Sequence, residues 1–381
     1  MSRGVNNLIV VETPFQLLNA TEYRQRAGWD APSLLVLLVP PFTRRNFAGL
    51  LRSAEWRSVT YLPVYSPRDI AIGSRPPEEC GFLHEQYKNL RRLRLRGGLD
   101  RFARRNGPVE TLVIGNYLRG HKDYIRHLTN VVAHRQLVLV DDGTDTLTVS
   151  DQRRAALEQK ATACDTGGSR SWKERGRDRW LDFQTREAPA LTYFSVYDLE
   201  LPAADTFVKN DYRALRALAR EARRTEEIYF LGQCLVADGY MPAATYRRAM
   251  TEVLAHFSTQ RITYVAHPRE SQGDLEALQG LGMEMTRFER PIEYELIVSG
   301  LRPQRLAGFF CSALENSRLI FGDDLPVTCF QLPSGLLDKN RPEVARIYEA
   351  LTRHSGPHFT VVPLTGRVPP GAEQVLLRAP K

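Results

Sequence analysis

The sequence holds few cysteines: Cys80, Cys164, Cys234, Cys311 and Cys329, five among 381 residues. They are scattered, odd in number and form no C-x-x-C. That argues against a disulfide framework and against a cysteine zinc site, and points to a reducing compartment. Two nucleotide fingerprints are also missing. The first apolar run is followed by "ETPFQLLNA" rather than G-x-G-x-x-G, and no G-x-x-x-x-G-K-[ST] occurs, so ordinary dinucleotide and P-loop sites lose support. Among the eight histidines the one H-x-x-x-H, His354 to His358, is interrupted by Gly-Pro, and no H-E-x-x-H occurs, which leaves a metal site little support. Long hydrophobic runs are lacking too. The longest, Leu34 to Phe42, falls far short of a spanning helix and contains two prolines. "MSRGVNN" passes straight into "LIVVE" with no leader-like cleavage site. The expectation is a cytoplasmic protein, with peripheral contact to the inner face of the cytoplasmic membrane left open.

What the chain does have is positive charge, with 52 Lys+Arg against 44 Asp+Glu. Such a balance suits an anionic partner. The length predicts two domains. Short Val/Ile/Leu-rich runs at 7–12, 33–39, 58–65, 111–116 and 136–142 alternate with helical patterns at 14–27, 44–54, 84–105 and 119–130. Continuous apolar strands separated by helices predict a parallel sheet covered on both faces, in a doubly wound α/β domain. Residues 151–190, Gly-, Ser- and Arg-rich, break the rhythm and read as an inserted loop, followed by a helix near 209–224. The rhythm then restarts. The expected domains are 1–215, with the insertion, and 216–381, with a ligand site at their interface.

Several strand ends carry polar groups, and each has a plain structural explanation beside a chemical one. "VDDGTDT" places Asp141, Asp142 and Gly143 at a strand end. They read either as a solvated Asp-Gly turn or as a general base whose pKa a second carboxylate raises. "FLGQCLVADG" brings Gly232, Gln233 and Asp238 to another strand end, with Asp238 in a turn, at an N-cap or in catalysis. "ITYVAHPRES" ends a strand on His267-Pro268. Proline alone explains the stop, while the carboxyl end of a strand is also where open α/β sheets bind ligands. "PIEYELI" offers Glu293 near a helix start, suited to the macrodipole or to ribose hydroxyls. "CSALENS" reads as a capping box from Ser312 to Glu315, at a helix N-terminus suited to phosphate. Asn116 closes the strand "TLVIGN". The Arg/Leu-rich segment 88–105 predicts an amphipathic helix with a solvated basic face, the alternative being an anionic membrane surface. No nucleic-acid-binding pattern accompanies it.

Taken in order, "TPFQLLNA", "DDG", "FLGQ", "HP", "PIE" and a serine at a helix start resemble the bacterial sialyltransferases. The resemblance is especially to the lipooligosaccharide sialyltransferases of glycosyltransferase family 52 and the related bacterial polysialyltransferases. The resemblance implies a GT-B architecture, two Rossmann-like domains facing across a cleft. It implies inverting, metal-independent transfer from a CMP-activated sialic acid to a glycan hydroxyl, with no further cofactor. In its terms Asp141 or Asp142 supplies a catalytic or acceptor-orienting carboxylate, and Asp238 stays in contention as the base. His267 acts on the CMP phosphate, Glu293 holds the ribose, and Ser312 is the one hydroxyl left of a Ser-Ser pair, Cys311 standing first. Gly143, Gly232, Gln233, Pro268 and Asn116 are candidate substrate contacts. The partners implied are CMP-sialic acid or a related CMP-sugar and a glycan acceptor, with no nucleic acid; a homodimer is left open. Another nucleotide sugar, or a non-catalytic protein that binds anionic glycans, remains an alternative.

Overall fold

The structure is a computed structural model describing residues 7–51, 53–64, 81–119, 123–143, 145–162, 183–258, 260–353 and 355–367. Cys80, Cys164, His121, His354 and the Gly/Ser/Arg-rich stretch 165–180 lie outside the described residues. The chain divides into two compact units, Met1–Asn210 and Asp211–Lys381; the sequence had placed this boundary at 215/216.

The first unit is a seven-stranded sheet. Its strands are β1 (Leu8–Val11), β2 (Ser33–Leu38), β3 (Trp56–Leu62), β4 (Val109–Ile114), β5 (His134–Val140), β6 (Thr192–Ser195) and β7 (Thr206–Lys209). They lie in the order β3-β2-β1-β4-β5-β6-β7, all parallel. Every residue of β1 and β2 is buried, as continuous apolar runs require when helices cover both faces. The helices are α1 (Pro14–Arg26), α2 (Gly81–Asn106), α3 (Asp123–Val131) and α4 (Asp145–Thr162), and a 3-10 segment, Pro41–Leu50, stands where an α-helix was expected.

The insertion read as a loop from 151 is in part the helix α4. Its inward face recurs at helical spacing, Thr146, Val149, Ser150, Arg153 and Ala156, all buried. Three of the five are polar, so apolar periodicity did not reveal it. Arg153 is buried because its guanidinium forks onto Asp205, with both bonds at 2.6 Å, and also donates to Glu187 at 3.0 Å. The helix expected near 209–224 is confined to Arg213–Ala219, with β7 before it running to Lys209 and a further strand taking up Arg223–Arg224 after it.

The second unit repeats the plan. Its sheet contains β9 (Ile228–Leu231), β10 (Ile262–Val265), β11 (Glu284–Thr286), β13 (Arg305–Gly308), β14 (Val327–Gln331) and β15 (Phe359–Pro363), in the order β11-β10-β9-β13-β14-β15 and parallel throughout. A side ribbon pairs β8 (Arg223–Arg224) with β12 (Leu301–Arg302). The helices are α5 (Arg213–Ala219), α6 (Ala243–Phe257), α7 (Gln272–Gln279), α8 (Ile292–Ser299), α9 (Ser312–Phe321) and α10 (Arg341–Arg353). Both units thus have the doubly wound, Rossmann-like order in which the strand order reverses beside the first strand. The α/β fold with two such domains is what the sequence predicts. In sheets of this order ligands bind in the crevice at the reversal, which lies outside the carboxyl ends of β1 and β4 in the first unit and of β9 and β13 in the second. No described helix is long and apolar enough to cross a membrane.

Candidate active site

In the second unit, register places the predicted residues side by side. Val265 of β10 pairs with Leu231 of β9, which pairs with Gly308 of β13. His267 and Gln233 each follow two residues beyond that line, and Ser312 four beyond. Neighbouring strands lie about 4.8 Å apart, so the three residues follow the carboxyl ends of adjacent strands across the switch point. Gln233 bridges that point directly, its Nε2 donating to the Phe310 carbonyl at 3.3 Å. Its Oε1 is buried without a protein partner among the described residues.

Ser312 is the first residue of α9, and Cys311 holds the N-cap position. The capping box expected from Ser312 to Glu315 therefore does not form in that register. The same signature, unremarked in the sequence, operates at the start of α1. Thr13 is the N-cap and its Oγ1 accepts from the Gln16 N–H at 3.1 Å, while Gln16 Oε1 reaches back to the Glu12 N–H at 2.7 Å.

Glu293 stands in the first turn of α8, where Pro291 is the N-cap. It is buried, and Asn316 of α9 donates to it at 3.2 Å. Burial pushes its carboxyl up to about 7. Asp238 sits in the turn after β9, in a bidentate ion pair with Arg269 at 2.8 and 2.9 Å. It belongs to the second unit, apart from the acidic motif of the first. Pro268 is exposed and occupies the second position of a β-turn closed by the Glu270 N–H on the His267 carbonyl at 3.0 Å.

In the first unit the acidic motif splits into two unlike carboxylates. Asp141 points into the protein. It is buried, its Oδ2 accepts from the Val196 N–H at 2.8 Å, and Asn19 donates to its carbonyl at 3.2 Å. It ties the end of β5 to the end of β6, and burial pushes it up to about 7. Asp142 is half-buried, facing the carboxyl ends of β1 and β4. Asn116, two residues past β4, donates to its Oδ2 at 2.8 Å and to Asp145 Oδ2 at 3.3 Å. After the two aspartates the chain turns at Gly143, whose φ of +61° lies in the left-handed region.

Burial pushes Asp142 up to about 6; the Asn116 hydrogen bond works against this, and Asp145 and Glu12 add to it. Glu12, just past β1, and Tyr124 of α3, which donates to Glu12 Oε1, complete the acidic pocket. Sequence reading missed Glu12, Gln16, Asp145 and Tyr124. The T-x-x-Q signature was the available signal for the first two. Among the described residues no group of three or more His, Cys, Asp and Glu side chains is disposed to hold a metal ion.

His267 is half-buried, and its ring is tightly specified. The Cys234 thiol lies 3.0 Å from Nδ1 and the Arg269 N–H donates to the same nitrogen at 3.2 Å. Burial, with Arg269 adding to it, pushes the imidazole down to about 4. At neutral pH it is an uncharged ring whose proton sits on Nε2, because Nδ1 faces a backbone donor. Burial likewise pushes the Cys234 thiol up to about 11, so this sulfur is a hydrogen-bond donor and not a thiolate nucleophile.

No protein-family model and no curated protein sequence matches this chain. Among solved structures it is similar to the alpha/beta-galactoside alpha-2,3-sialyltransferase of Photobacterium phosphoreum, at 13% identity over 94% of this chain and 98% of that one, with a TM-score of 0.49. It is also similar to UGT89C1 of Arabidopsis thaliana complexed with UDP-L-rhamnose, at 11% identity over 100% and 91% of the two chains, TM-score 0.47. A third is the MurG of Acinetobacter baumannii, at 8% identity over 98% and 89%, TM-score 0.44.

Proposed function

We propose that this chain is an inverting, metal-independent GT-B glycosyltransferase that moves sialic acid, or a related nonulosonate, from its CMP-activated donor to a hydroxyl of a surface glycan. The observation that carries this reading is the row of His267, Gln233 and Ser312 across the switch point of the second unit. Those are the positions the motif order assigns to the donor. The second unit takes the CMP moiety. His267 donates from Nε2 to the phosphate, Ser312 and the N-terminus of α9 add donors, and Glu293 lies at the neighbouring helix start for the ribose.

In the transfer, the bond from sugar C2 to the phosphate oxygen breaks and its electron pair leaves with CMP. The acceptor oxygen bonds to C2 on the opposite face through an oxocarbenium-like transition state, and the hydroxyl proton passes to a carboxylate. Of the three aspartates left open by the sequence, Asp142 is assigned as that base. Asp141 is committed to the backbone of β6, and Asp238 is neutralised by Arg269.

Asp142 is raised to about 6, so it is the ionised, proton-accepting form only above that pH. On CMP-sialic acid, kcat/KM for CMP release is therefore expected to rise through about pH 6 and then stay level. His267, pushed down to about 4, remains uncharged over the whole range and adds no falling limb. A bell whose alkaline side falls near the ordinary histidine value of about 6.5 would contradict the assignment of an uncharged His267 donor.

A further inference from the structure

A buried carboxylate that the transfer chemistry does not use stands behind His267. Glu270 closes the turn that His267 begins, and its side chain folds back onto that turn. Its Oε2 accepts from the His267 N–H at 2.6 Å while its own N–H donates to the His267 carbonyl at 3.0 Å, so the turn is closed from both ends. Its Oε1 accepts from the Tyr264 hydroxyl at 2.5 Å. Since the Tyr264 proton goes to Glu270, the Tyr246 hydroxyl 2.8 Å away donates to Tyr264, and the Gln233 N–H in turn supplies Tyr246. A chain of donors thus runs from the end of β9 through α6 and β10 to Glu270, which accepts from the main chain of His267 on its other oxygen.

The space for it is made by Gly232. A Cβ there would come within 2.5 Å of both Glu270 Oε2 and the Tyr264 hydroxyl oxygen. Glu270 touches the main chain of His267 rather than its ring, so it adds no negative charge to Nδ1. What it fixes is position. With the turn held, the Arg269 N–H stays on Nδ1, and the Cys234 thiol lies against the same nitrogen. Arg287 steadies the far side, donating to the Glu270 carbonyl at 2.9 Å.

We propose that Glu270, anchored by Tyr264 and Tyr246, is a positioning residue that clamps the His267 turn and so keeps the ring in the single tautomer that presents Nε2–H. Its kinetic consequence rests on the proposed transfer; its structural consequence does not.

The test is a long-range proton–nitrogen spectrum of the full-length protein labelled with 15N-histidine, with the His267 signals assigned by their loss in His267→Gln. Wild type should show one His267 species, protonated at Nε2 and bare at Nδ1. Glu270→Ala should give a mixture with the Nδ1–H tautomer, and Glu270→Gln, which keeps one acceptor oxygen, should fall between. In CMP release, Glu270→Ala should lower kcat about tenfold, the worth of one strong hydrogen bond, and leave the donor KM within about threefold.

Should Glu270→Ala fail to fold, Tyr264→Phe removes only the anchoring hydroxyl and should shift the tautomers the same way with a smaller fall in kcat. A single unchanged Nε2–H species in Glu270→Ala, or in Tyr264→Phe if that is the variant that folds, overturns the clamp. An Nδ1–H tautomer in the wild type does so as well. The tautomer measurement needs no substrate, so it decides the clamp even where no donor turns over, which is the outcome that would instead remove the transferase reading.

Discussion

Asp142→Asn is expected to lower kcat for the proposed sialyl transfer by about a thousandfold, within the range a positioned general base contributes. The donor KM should stay within about threefold, because donor contacts are assigned to the second unit and the substitution removes no charge from it. Asparagine is nearly isosteric with Asp142 and can still accept the Asn116 hydrogen bond now made at 2.8 Å, so the fold has no reason to suffer. Asp141→Asn provides the contrast. It alters a carboxylate that holds the backbone of β6, so it should change stability more than the chemical step. If Asp142→Asn transfers at near wild-type rate while Asp141→Asn is inactive but folded, the two roles are reversed. Initial rates of CMP release, read beside thermal melting, separate the two variants.

Glu187→Ala is expected to destabilise the first unit by about 3 kcal/mol, at the lower end of the cost of breaking a buried ion pair from one side. Glu187 accepts from Arg126, Arg119 and Arg153, and both Arg126 and Arg153 are buried. Without it Arg153 keeps Asp205, and Arg126 keeps the Thr185 carbonyl and the face of the Tyr117 ring. What is lost is the carboxylate that pins the segment before β6 to α3 and α4.

Burial alone would raise the Glu187 carboxyl, but the hydrogen bonds from Arg119 and Arg126 outweigh it and the net shift is downward. A carboxyl lowered on folding contributes its full stability above its unfolded value and loses it as the pH falls through the lowered one. The gap between variant and wild type should therefore narrow in acid. Urea denaturation at neutral and at acidic pH measures both effects. An unchanged midpoint at neutral pH would show that the network carries no net stability.

The fold was legible in this sequence because the central strands of the two sheets are buried on both faces. Runs such as Leu8–Val11 and Ser33–Leu38 are almost wholly apolar, and their alternation with helices leaves few other architectures. The elements that escaped are those whose burial depends on polar partners. The inward face of α4 carries Thr146, Ser150 and Arg153, and nothing in a single sequence shows that Arg153 will be met by Asp205 and Glu187, residues 52 and 34 positions away.

The site followed the same logic. Strand-end residues announced themselves by place: His267 beside a proline, Asp142 in an Asp-Gly turn, Gln233 after a buried strand. Cys234 and Glu270 did not, since a cysteine after a strand and a glutamate two residues past a proline are ordinary until the chain is folded. The expected capping box at Ser312 failed by one residue of register, because the chain already takes up the cap at Cys311. The same four-residue signature at Thr13–Gln16 was the informative one. It brings Glu12 and Gln16 to the carboxyl end of β1, against Asp142.

The central claim is that the nucleotide released is CMP and that its release depends on the row headed by His267. The protein, in EDTA and with a panel of glycan acceptors, is offered CMP-sialic acid, CMP-Kdo and UDP-glucose in turn, and the free nucleotide is measured. The account predicts acceptor-dependent release of CMP from CMP-sialic acid or a related CMP-sugar, strongly reduced in His267→Ala, with UDP-glucose left intact. Turnover of UDP-glucose with no CMP released from either CMP-sugar would contradict it.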